Sequence, residues 1–341
     1  MSRFTLPRYP LFQAPMAGGI TTVELVAAVA NAGAVGSFGF AYSTPDVIAA
    51  ELVQCRTQTD GAVLANVFVI DEPAPPSQTD REAACAALEA LAFPGVVYSE
   101  PEPPHIADVT AQLAPIWAQP PTYLTFHFGV PSQDIIARAQ ACGIAVGISA
   151  TSPSEAKESE AAGADFIIAQ GIEAGGHRGT FEAMPRVDEA LSTLTLTKRL
   201  NDNTSLPIVA AGGIMTATHI KEALAAGAVA VQMGTAFLAA DEAGTPSSYR
   251  EALCEVPCRE TILTTQFSGR VARSLQNEFT TKMAGQAILP FPIQNRLTGP
   301  LRSAAVKSGT AEYQSLWAGT GVADIVQGPA AKIVAQLCTD L

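Results

Sequence analysis

One histidine lies in a segment where glycine is frequent, and this combination of residue types points to chemistry. The segment 170–179 reads QGIEAGGHRG and holds four glycines together with His177. An imidazole has a usual pKa near neutral pH, so His177 is the candidate for proton transfer in this segment. Glycines allow backbone N–H groups to approach a bound phosphate or heterocycle closely. We therefore predict that His177 is catalytic beside a bound ligand, the alternative being an incidental histidine in a flexible loop.

Two further glycine segments predict where a phosphate group would bind. They read AGGI at 211–214 and QMGT at 232–235, and each follows an apolar run typical of a buried strand. In eight-stranded α/β barrels, the loops after the seventh and eighth strands commonly bind phosphate through main-chain amides and a helix N-terminus. These segments therefore predict a phosphate-bearing cofactor near Gly212, Gly213 and Gly234. The alternative is that both are ordinary tight turns.

Several polar side chains allow two interpretations each. Asn66 and Gln170 end apolar runs, and their amides would either recognise the edge of a heterocycle or bond to neighbouring backbone. His127, in the segment TFHF, is a second histidine expected at the mouth of the barrel, as a substrate contact or as a hydrogen-bonded wall residue.

A recurring spacing predicts the helices that position these residues. A Ser or Thr stands eleven residues before a glycine at Thr22–Gly33, Ser132–Gly143, Ser152–Gly163 and Thr216–Gly227. A hydroxyl satisfies the free N–H groups at the start of a helix, and glycine adopts the left-handed conformation at its end. Thr21-x-x-Glu24 and Ser152-x-x-Glu155 also predict capping boxes.

Eight short apolar runs predict parallel strands buried beneath those helices. They lie near 10–14, 34–38, 62–68, 122–126, 144–149, 165–170, 207–211 and 229–233. Eight alternating strand and helix units favour an α/β fold of the (β/α)₈ TIM barrel type. A Rossmann sheet is less consistent with the sequence, because no GxGxxG follows an early strand.

Two stretches do not fit the repeating unit. The proline-rich residues 71–121 predict one short helix at about 79–91 within a long irregular connection. Residues 243–310 lack the spacing from cap to glycine and predict a second, smaller substrate or lid domain. The barrel is then formed by 1–242 and completed by 311–341, where an amphipathic pattern predicts a helix from Ala330 to Leu337.

Composition excludes several classes of function. The 341 residues carry 20 Lys and Arg against 32 Asp and Glu, a net charge of −12 that disfavours nucleic acid and anionic membrane partners. No secretory signal or membrane-spanning run is evident, which predicts a soluble cytoplasmic protein. The six cysteines are dispersed without a CxxC pair, so neither a disulfide scaffold nor a metal site is predicted.

Taken together, five segments resemble class I nitronate monooxygenases. They occur in the family's order along nearly the whole chain and read QAPMAGG, QGIEAGGHRG, PIVAAGGI, QMGTAF and LWAG. The resemblance implies an FMN-dependent enzyme that oxidises alkyl nitronates, and neutral nitroalkanes if it can deprotonate them, with dioxygen to a carbonyl compound and nitrite. It implies His177 as the catalytic base and FMN contacts from Ala14, Pro15, Met16, Asn66, Gln170, Gly175, Gly176, Gly212, Gly213, Gln232, Met233, Gly234 and Thr235.

The lid segment departs from the family's pattern. Some relatives carry Tyr-Pro-x-x-Tyr-x-x-x-Lys, whereas residues 291–299 here read FPIQNRLTG, so the family's substrate preference cannot be carried over. Arg270, Arg273 and Asn277 are alternative groups for an anionic substrate, or they form an ion pair within the lid.

Other functions stay open at this point. One is an FMN-dependent NAD(P)H enoyl-thioester or quinone reductase on the same scaffold. Another is a flavin-free, phosphate-binding barrel lyase or isomerase, and a third is a non-catalytic flavin-binding protein. The predicted partners are a small nitronate or nitroalkane and dioxygen, and the assembly to be tested is a homodimer.

Overall fold

A closed barrel of eight parallel strands forms the centre of the computed structural model, which describes residues 3–99, 101–185, 187–339 and 341. The barrel strands are β1 Leu11–Gln13, β2 Gly36–Gly39, β3 Val63–Phe68, β4 Tyr123–His127, β5 Ala145–Ala150, β6 Phe166–Gln170, β8 Ile208–Ala211 and β9 Ala230–Met233. Strand β1 pairs with β9, and the N–H of Gln13 donates to the carbonyl of Val35 at 2.9 Å, which closes the barrel beside β2. All eight predicted strands and the (β/α)₈ fold are confirmed.

Thirteen α-helices are found along the described residues, most of them around the barrel. They are α1 Val23–Asn31, α2 Pro45–Gln58, α3 Gln78–Glu89, α4 Val109–Ala118, α5 Gln133–Ala141, α6 Pro153–Ala161, α7 Thr193–Asn201, α8 Ala217–Ala225, α9 Ser247–Leu253, α10 Glu278–Lys282, α11 Ile293–Leu297, α12 Gly299–Lys307 and α13 Ala330–Leu337. The last of these is the predicted C-terminal helix, and it packs with α1 and α8 in one buried cluster on the outside of the barrel.

At all four places a helix lies between the predicted cap residue and the glycine. At three of them the cap hydroxyl, that of Thr22, Ser152 or Thr216, accepts a hydrogen bond from the N–H three residues further along the chain. Ser132 occupies the same position but makes no side-chain cap. The glycines that follow have φ of +94°, +77°, +97° and +104°, the left-handed conformation that glycine adopts without strain.

The two predicted capping boxes are wrong. Helix α1 is capped by Thr22, so Thr21 is not the cap residue. Glu155 does not return to the N–H of its own cap; its carboxylate accepts hydrogen bonds from Thr151 and from the N–H of Phe181. Both carboxylate oxygens of Glu155 are therefore used to hold neighbouring loops, which a local sequence pattern does not reveal.

The proline-rich connection holds two helices, whereas one was predicted. Helix α3 confirms the predicted segment, but α4 was missed because Pro115 lies inside it. The carboxylate of Asp108 caps the start of α4, and Leu113 and Ile116 are fully buried against the barrel. Burial of this apolar face therefore outweighs the hydrogen bond that Pro115 cannot donate.

The lid covers one end of the barrel. Helices α10, α11 and α12 share an apolar cluster with α3 of the proline-rich connection, built around Phe267, Phe279, Met283 and Leu301. A small sheet joins the strands β10 Thr261–Thr264, β11 Ala272–Leu275 and β7 Gly176–His177. Since β7 belongs to the loop after β6, this sheet fixes the lid directly to that loop. The division into a barrel and a lid at 243–310 stays a prediction.

Candidate active site

The carboxyl ends of the barrel strands and the lid enclose a cavity of about 930 Å³. This volume lies within the range of roughly 300–1,000 Å³ typical of cofactor and small-molecule sites. The cavity is lined by all of the residues predicted for the site: His177, His127, Ala14, Pro15, Met16, Asn66, Gln170, Gly175, Gly176, Gly212, Gly213, Gln232, Met233, Gly234 and Thr235. The structure therefore brings these residues together, and their individual roles stay predictions.

Both the backbone and the ring of His177 make contacts that fix its position. In the small sheet His177 pairs with Ala272 of β11, and its carbonyl accepts hydrogen bonds from the Gln170 amide at 3.0 Å and from His127 Nε2 at 3.3 Å. The imidazole lies among the rings of Phe128, Phe291 and Trp317, with centroid distances of 5.9, 5.3 and 5.3 Å. Its Nε2 is buried and has no hydrogen-bond partner in the described chain.

The surroundings of His177 keep its imidazole neutral. Burial, reinforced by neighbouring His127 and by the positive charges of Arg270 and Arg302, lowers its pKa to about 3. At neutral pH the ring therefore carries one proton and one free lone pair. Such a group accepts a proton or a hydrogen bond from a bound molecule, which suits a base that faces a cavity.

His127 behaves as a wall residue. Burial, with a further effect of Arg270, lowers its pKa to about 4, so it is neutral and its Nε2–H donates to the carbonyl of His177. Its ring packs on Phe68 and Phe128, and a Cβ added at Gly179 would lie 2.6 Å from its Cε1. These contacts favour the hydrogen-bonded interpretation, and its contact with substrate stays a prediction.

Gln170 holds the loop that carries His177. Its Nε2 donates to the His177 carbonyl, and its Oε1 accepts the N–H of Gly179 at 2.7 Å. Its own carbonyl accepts a hydrogen bond from Arg178, whose guanidinium also pairs with Asp188. Both the N–H₂ group and the oxygen of the Gln170 amide therefore bond to backbone, which agrees with the interpretation that this amide bonds to neighbouring main chain.

Two other amides are less fully satisfied. The Nδ2 of Asn66 donates to the backbone oxygen of Thr125 at 3.2 Å and to its hydroxyl at 3.0 Å, which aligns the ends of β3 and β4. Gln232, at the end of β9, has a buried Oε1 without a donor among the described residues. A buried acceptor without a donor is costly, so a ligand N–H is the natural partner for Gln232.

Glycines build the part of the cavity wall at the ends of β8 and β9. Gly212 and Gly213 have φ of +126° and +67°. A Cβ on Gly212 would lie 2.7 Å from the Thr193 hydroxyl, and one on Gly213 would lie 3.0 Å from Cβ of Glu173. The hydroxyl of Thr235 accepts the N–H of Gly319 at 2.9 Å, which joins this wall to the LWAG segment. Here the main chain, rather than side chains, lines the cavity.

The three lid residues singled out in the sequence do not line the cavity. Arg270 packs over Phe128, with Cζ 3.8 Å from the ring centroid, and donates to the carbonyl of Thr180. Arg273 donates to the carbonyl of Ile172, and Asn277 caps α10. Their positions outside the cavity wall argue against a substrate contact, and no ion pair is found for them within the described ranges. Buried carbonyls of neighbouring segments, those of Thr180, Ile172 and Ala311, need donors, and these side chains supply them.

Sequence reasoning missed Arg302 and Tyr42, which both line the cavity. Arg302 lies on α12 of the lid, and Tyr42 follows β2 in the barrel. Burial raises the pKa of Tyr42 to about 12 and lowers the pKa of Arg302, and each favours the charged form of the other. No local pattern marks either residue, because only the packing of the lid on the barrel brings them together.

Comparisons with known proteins agree with one another. The model of the nitronate monooxygenase family matches residues 1–340. A nitronate monooxygenase of Paraburkholderia phytofirmans is 40% identical over 97% of this chain and 92% of its own length. A nitronate monooxygenase of Pseudomonas aeruginosa is also 40% identical, over 97% of this chain and 96% of its own length. The crystal structure of a nitroalkane oxidase from Streptomyces ansochromogenes matches with a TM-score of 0.93 and 39% identity, and the match covers 98% of this chain and 96% of that one. The structure of FabK from Thermotoga maritima matches with a TM-score of 0.75 and 26% identity, over 98% of this chain and 92% of that one.

Proposed function

This chain belongs to the nitronate monooxygenase family, and we propose that it binds FMN in the cavity and oxidises nitronates with dioxygen beside His177. Enzymes of this family depend on a flavin. The observation that carries the proposal is the pairing of a neutral, buried imidazole with a free Nε2 and a cavity wall made of glycine main chain. The products would be a carbonyl compound and nitrite.

The cavity has the chemistry that FMN requires. Main-chain N–H groups around Gly212, Gly213 and Gly234 would hold the phosphate, as such groups do at the same place in other barrels. The unpartnered Oε1 of Gln232 would accept an N–H of the flavin ring. A Cβ added at Gly176 would meet no heavy atom within 4 Å, so the surface of this residue is open to a ligand.

Bound FMN would supply the redox chemistry, and the protein would orient and protonate or deprotonate the substrate. Neutral His177 would accept the proton from the carbon beside a nitro group. The surroundings that lower the pKa of His177 also weaken it as a base, so removal of a carbon-bound proton would be the harder step. A nitronate has already lost that proton. We therefore propose nitronates as the better substrates and neutral nitroalkanes as the poorer ones.

The identity of the cofactor is the first prediction. Purified protein should be yellow, and acid extraction followed by mass spectrometry should release non-covalent FMN at about one molecule per chain. Steady-state assays with ethyl nitronate and dioxygen should then yield acetaldehyde and nitrite. Extraction of FAD, or of no flavin, would reject this proposal.

Other parts of the interpretation rest on the sequence alone. Among the described residues, no helix is long and apolar enough to cross a membrane. A cytoplasmic location and a homodimer stay predictions, which fractionation and light scattering can test.

A further inference from the structure

Arg302 is a cation in the cavity wall, and the described residues give it no carboxylate partner. Its Nη2 donates to the backbone oxygen of Asn295 and to its Oδ1 at 3.1 Å, while its Nε is buried and unpartnered. Of the titratable groups in the described chain, Tyr42 alone favours the charged form of Arg302, and no carboxylate does. The guanidinium is therefore fixed in place by Asn295 and still has N–H groups to offer.

A charged group in this position needs a partner. Burial lowers the pKa of Arg302, but guanidinium stays protonated at any physiological pH. A partly buried charge without a counter-ion is costly, and Arg302 lines the cavity, so a bound anion can reach it from that side. Tyr42 is not that partner at neutral pH, because its pKa is about 12 and its hydroxyl is uncharged.

Arg302 also acts on the reaction centre. Its charge is one of those that lower the pKa of His177, together with Arg270 and the neighbouring His127. Arg270 does not line the cavity, since it is buried against Phe128 and Thr180. Among the cations that influence His177, Arg302 is therefore the one that a bound molecule can reach.

We propose that Arg302 binds the negatively charged oxygen atoms of the nitronate group and so adds a preference in binding for nitronates over neutral nitroalkanes. This inference rests on the proposed function. A nitronate is a planar anion with two oxygens on one nitrogen, and the forked N–H groups of guanidinium match such a pair, as they match a carboxylate. A neutral nitroalkane presents the same two oxygens with less negative charge, so the same contact is weaker.

The kinetic test compares Arg302→Met and Arg302→Lys with a matched control, Lys307→Gln. Lys307 ends the same helix, α12, is exposed and does not line the cavity. Loss of a charge-assisted contact should raise KM for ethyl nitronate roughly 10- to 100-fold in Arg302→Met, with a much smaller change in kcat. Arg302→Lys should recover part of this loss, and Lys307→Gln should resemble the parent. For nitroethane, KM should change little in any variant.

A binding test makes the result independent of turnover. Propionate is an inert, planar anion of similar size to ethyl nitronate, and propionamide is its neutral counterpart. Calorimetry on FMN-loaded protein should show propionate binding weakened at least tenfold by Arg302→Met, with propionamide binding unchanged. Far-UV circular dichroism and FMN content should match the parent; if Arg302→Met fails either check, Arg302→Lys decides, because it keeps the charge and loses the fork.

Three results would overturn this assignment. Parent-like propionate binding and nitronate KM in Arg302→Met would show that Arg302 does not bind the anion. A loss seen only for nitronates that carry a second, remote carboxylate would place that remote group, not the nitronate, at Arg302. A fall in FMN affinity with unchanged propionate binding would place the cofactor phosphate there. If the parent enzyme binds propionate through Arg302 but does not oxidise nitronates, the proposed function fails and the anion site stands.

Discussion

Two walls of the same cavity are built in different ways. The barrel wall, defined here as Gly212, Gly213 and Gly234, offers main chain and little else. The lid wall, defined as Pro292, Asn295 and Arg302, offers side chains instead, including one partly buried positive charge. The barrel wall suits a cofactor that is common to many proteins. The lid wall suits discrimination between substrates.

This difference separates binding from chemistry. A main-chain site depends on backbone conformation, so its sensitive positions are glycines that cannot accept a Cβ. A side-chain site depends on the identity of a few residues, so its sensitive positions are His177 and the groups around it. Substitutions in one wall should therefore leave the function of the other largely intact.

The largest effect is expected for His177→Asn. Asparagine keeps approximate size and a hydrogen-bonding amide but cannot act as a base, so turnover of neutral nitroethane should fall by ~10²-fold or more. FMN content should not change, because the proposed phosphate site is the barrel wall and not His177. Turnover of ethyl nitronate should fall much less, since that substrate needs no deprotonation. Parent-like oxidation of nitroethane at full FMN occupancy would contradict the assignment of His177 as the base, and His127 would be the next residue to replace.

A smaller effect is expected for Gly213→Ala in the barrel wall. Alanine at φ +67° is strained, and its Cβ would lie 3.0 Å from Cβ of Glu173, so the loop must shift from the conformation that we propose binds the phosphate. FMN affinity should fall roughly tenfold, the equivalent of the ~1–2 kcal/mol that a left-handed residue costs.

Gly143→Ala is the matched control for that variant. Gly143 has φ +77° and no heavy atom within 4 Å of an added Cβ, and it does not line the cavity. The backbone strain is therefore similar, but only the free energy of unfolding should decrease. Equal FMN affinities in the two alanine variants, measured by fluorescence titration, would show that the barrel wall does not hold the cofactor.

The smallest effect concerns acid stability. The pKa values of His177 and His127 are lowered to about 3 and 4, so the unfolded chain binds more protons than the folded protein between those values and the usual pKa near 6.5. The free energy of unfolding should therefore fall as pH decreases through this window. His177→Asn should make that dependence shallower by up to ~1.4 kcal/mol per pH unit. Urea unfolding at matched FMN occupancy measures the free energy of unfolding of the parent and of His177→Asn at each pH. The contribution of the carboxylates is the same in both proteins and cancels in the difference. Parallel curves would mean that His177 is not buried as described.

The sequence predicts the barrel well because its signals are local. A cap residue, a glycine and an apolar run each act within a dozen residues, and the four glycines from Gly33 to Gly227 show the expected left-handed φ. Helix α4 was missed because a local breaker, Pro115, was outweighed by burial of Leu113 and Ile116. Local reasoning fails where tertiary packing decides.

The site shows the same contrast between its two walls. The glycines and His177 could be found because motifs follow the ends of strands, and strand ends meet at one face of the barrel. Arg302 could not be found, because the barrel residues it faces, such as Tyr42, lie far away in sequence and only the lid packing joins them. For the same reason, neither alternative given for Arg273, a substrate contact or an ion pair within the lid, includes the hydrogen bond that it donates to the carbonyl of Ile172.

The measurement that tests the central claim most directly is reduction of the flavin in the absence of oxygen. FMN-loaded protein is mixed anaerobically with ethyl nitronate, with NADH or with NADPH, and the loss of the visible flavin band is followed by stopped flow. We expect rapid bleaching by the nitronate and negligible bleaching by either nicotinamide. Rapid bleaching by NADH or NADPH without bleaching by ethyl nitronate would contradict the account and would identify a nicotinamide-dependent reductase on this scaffold.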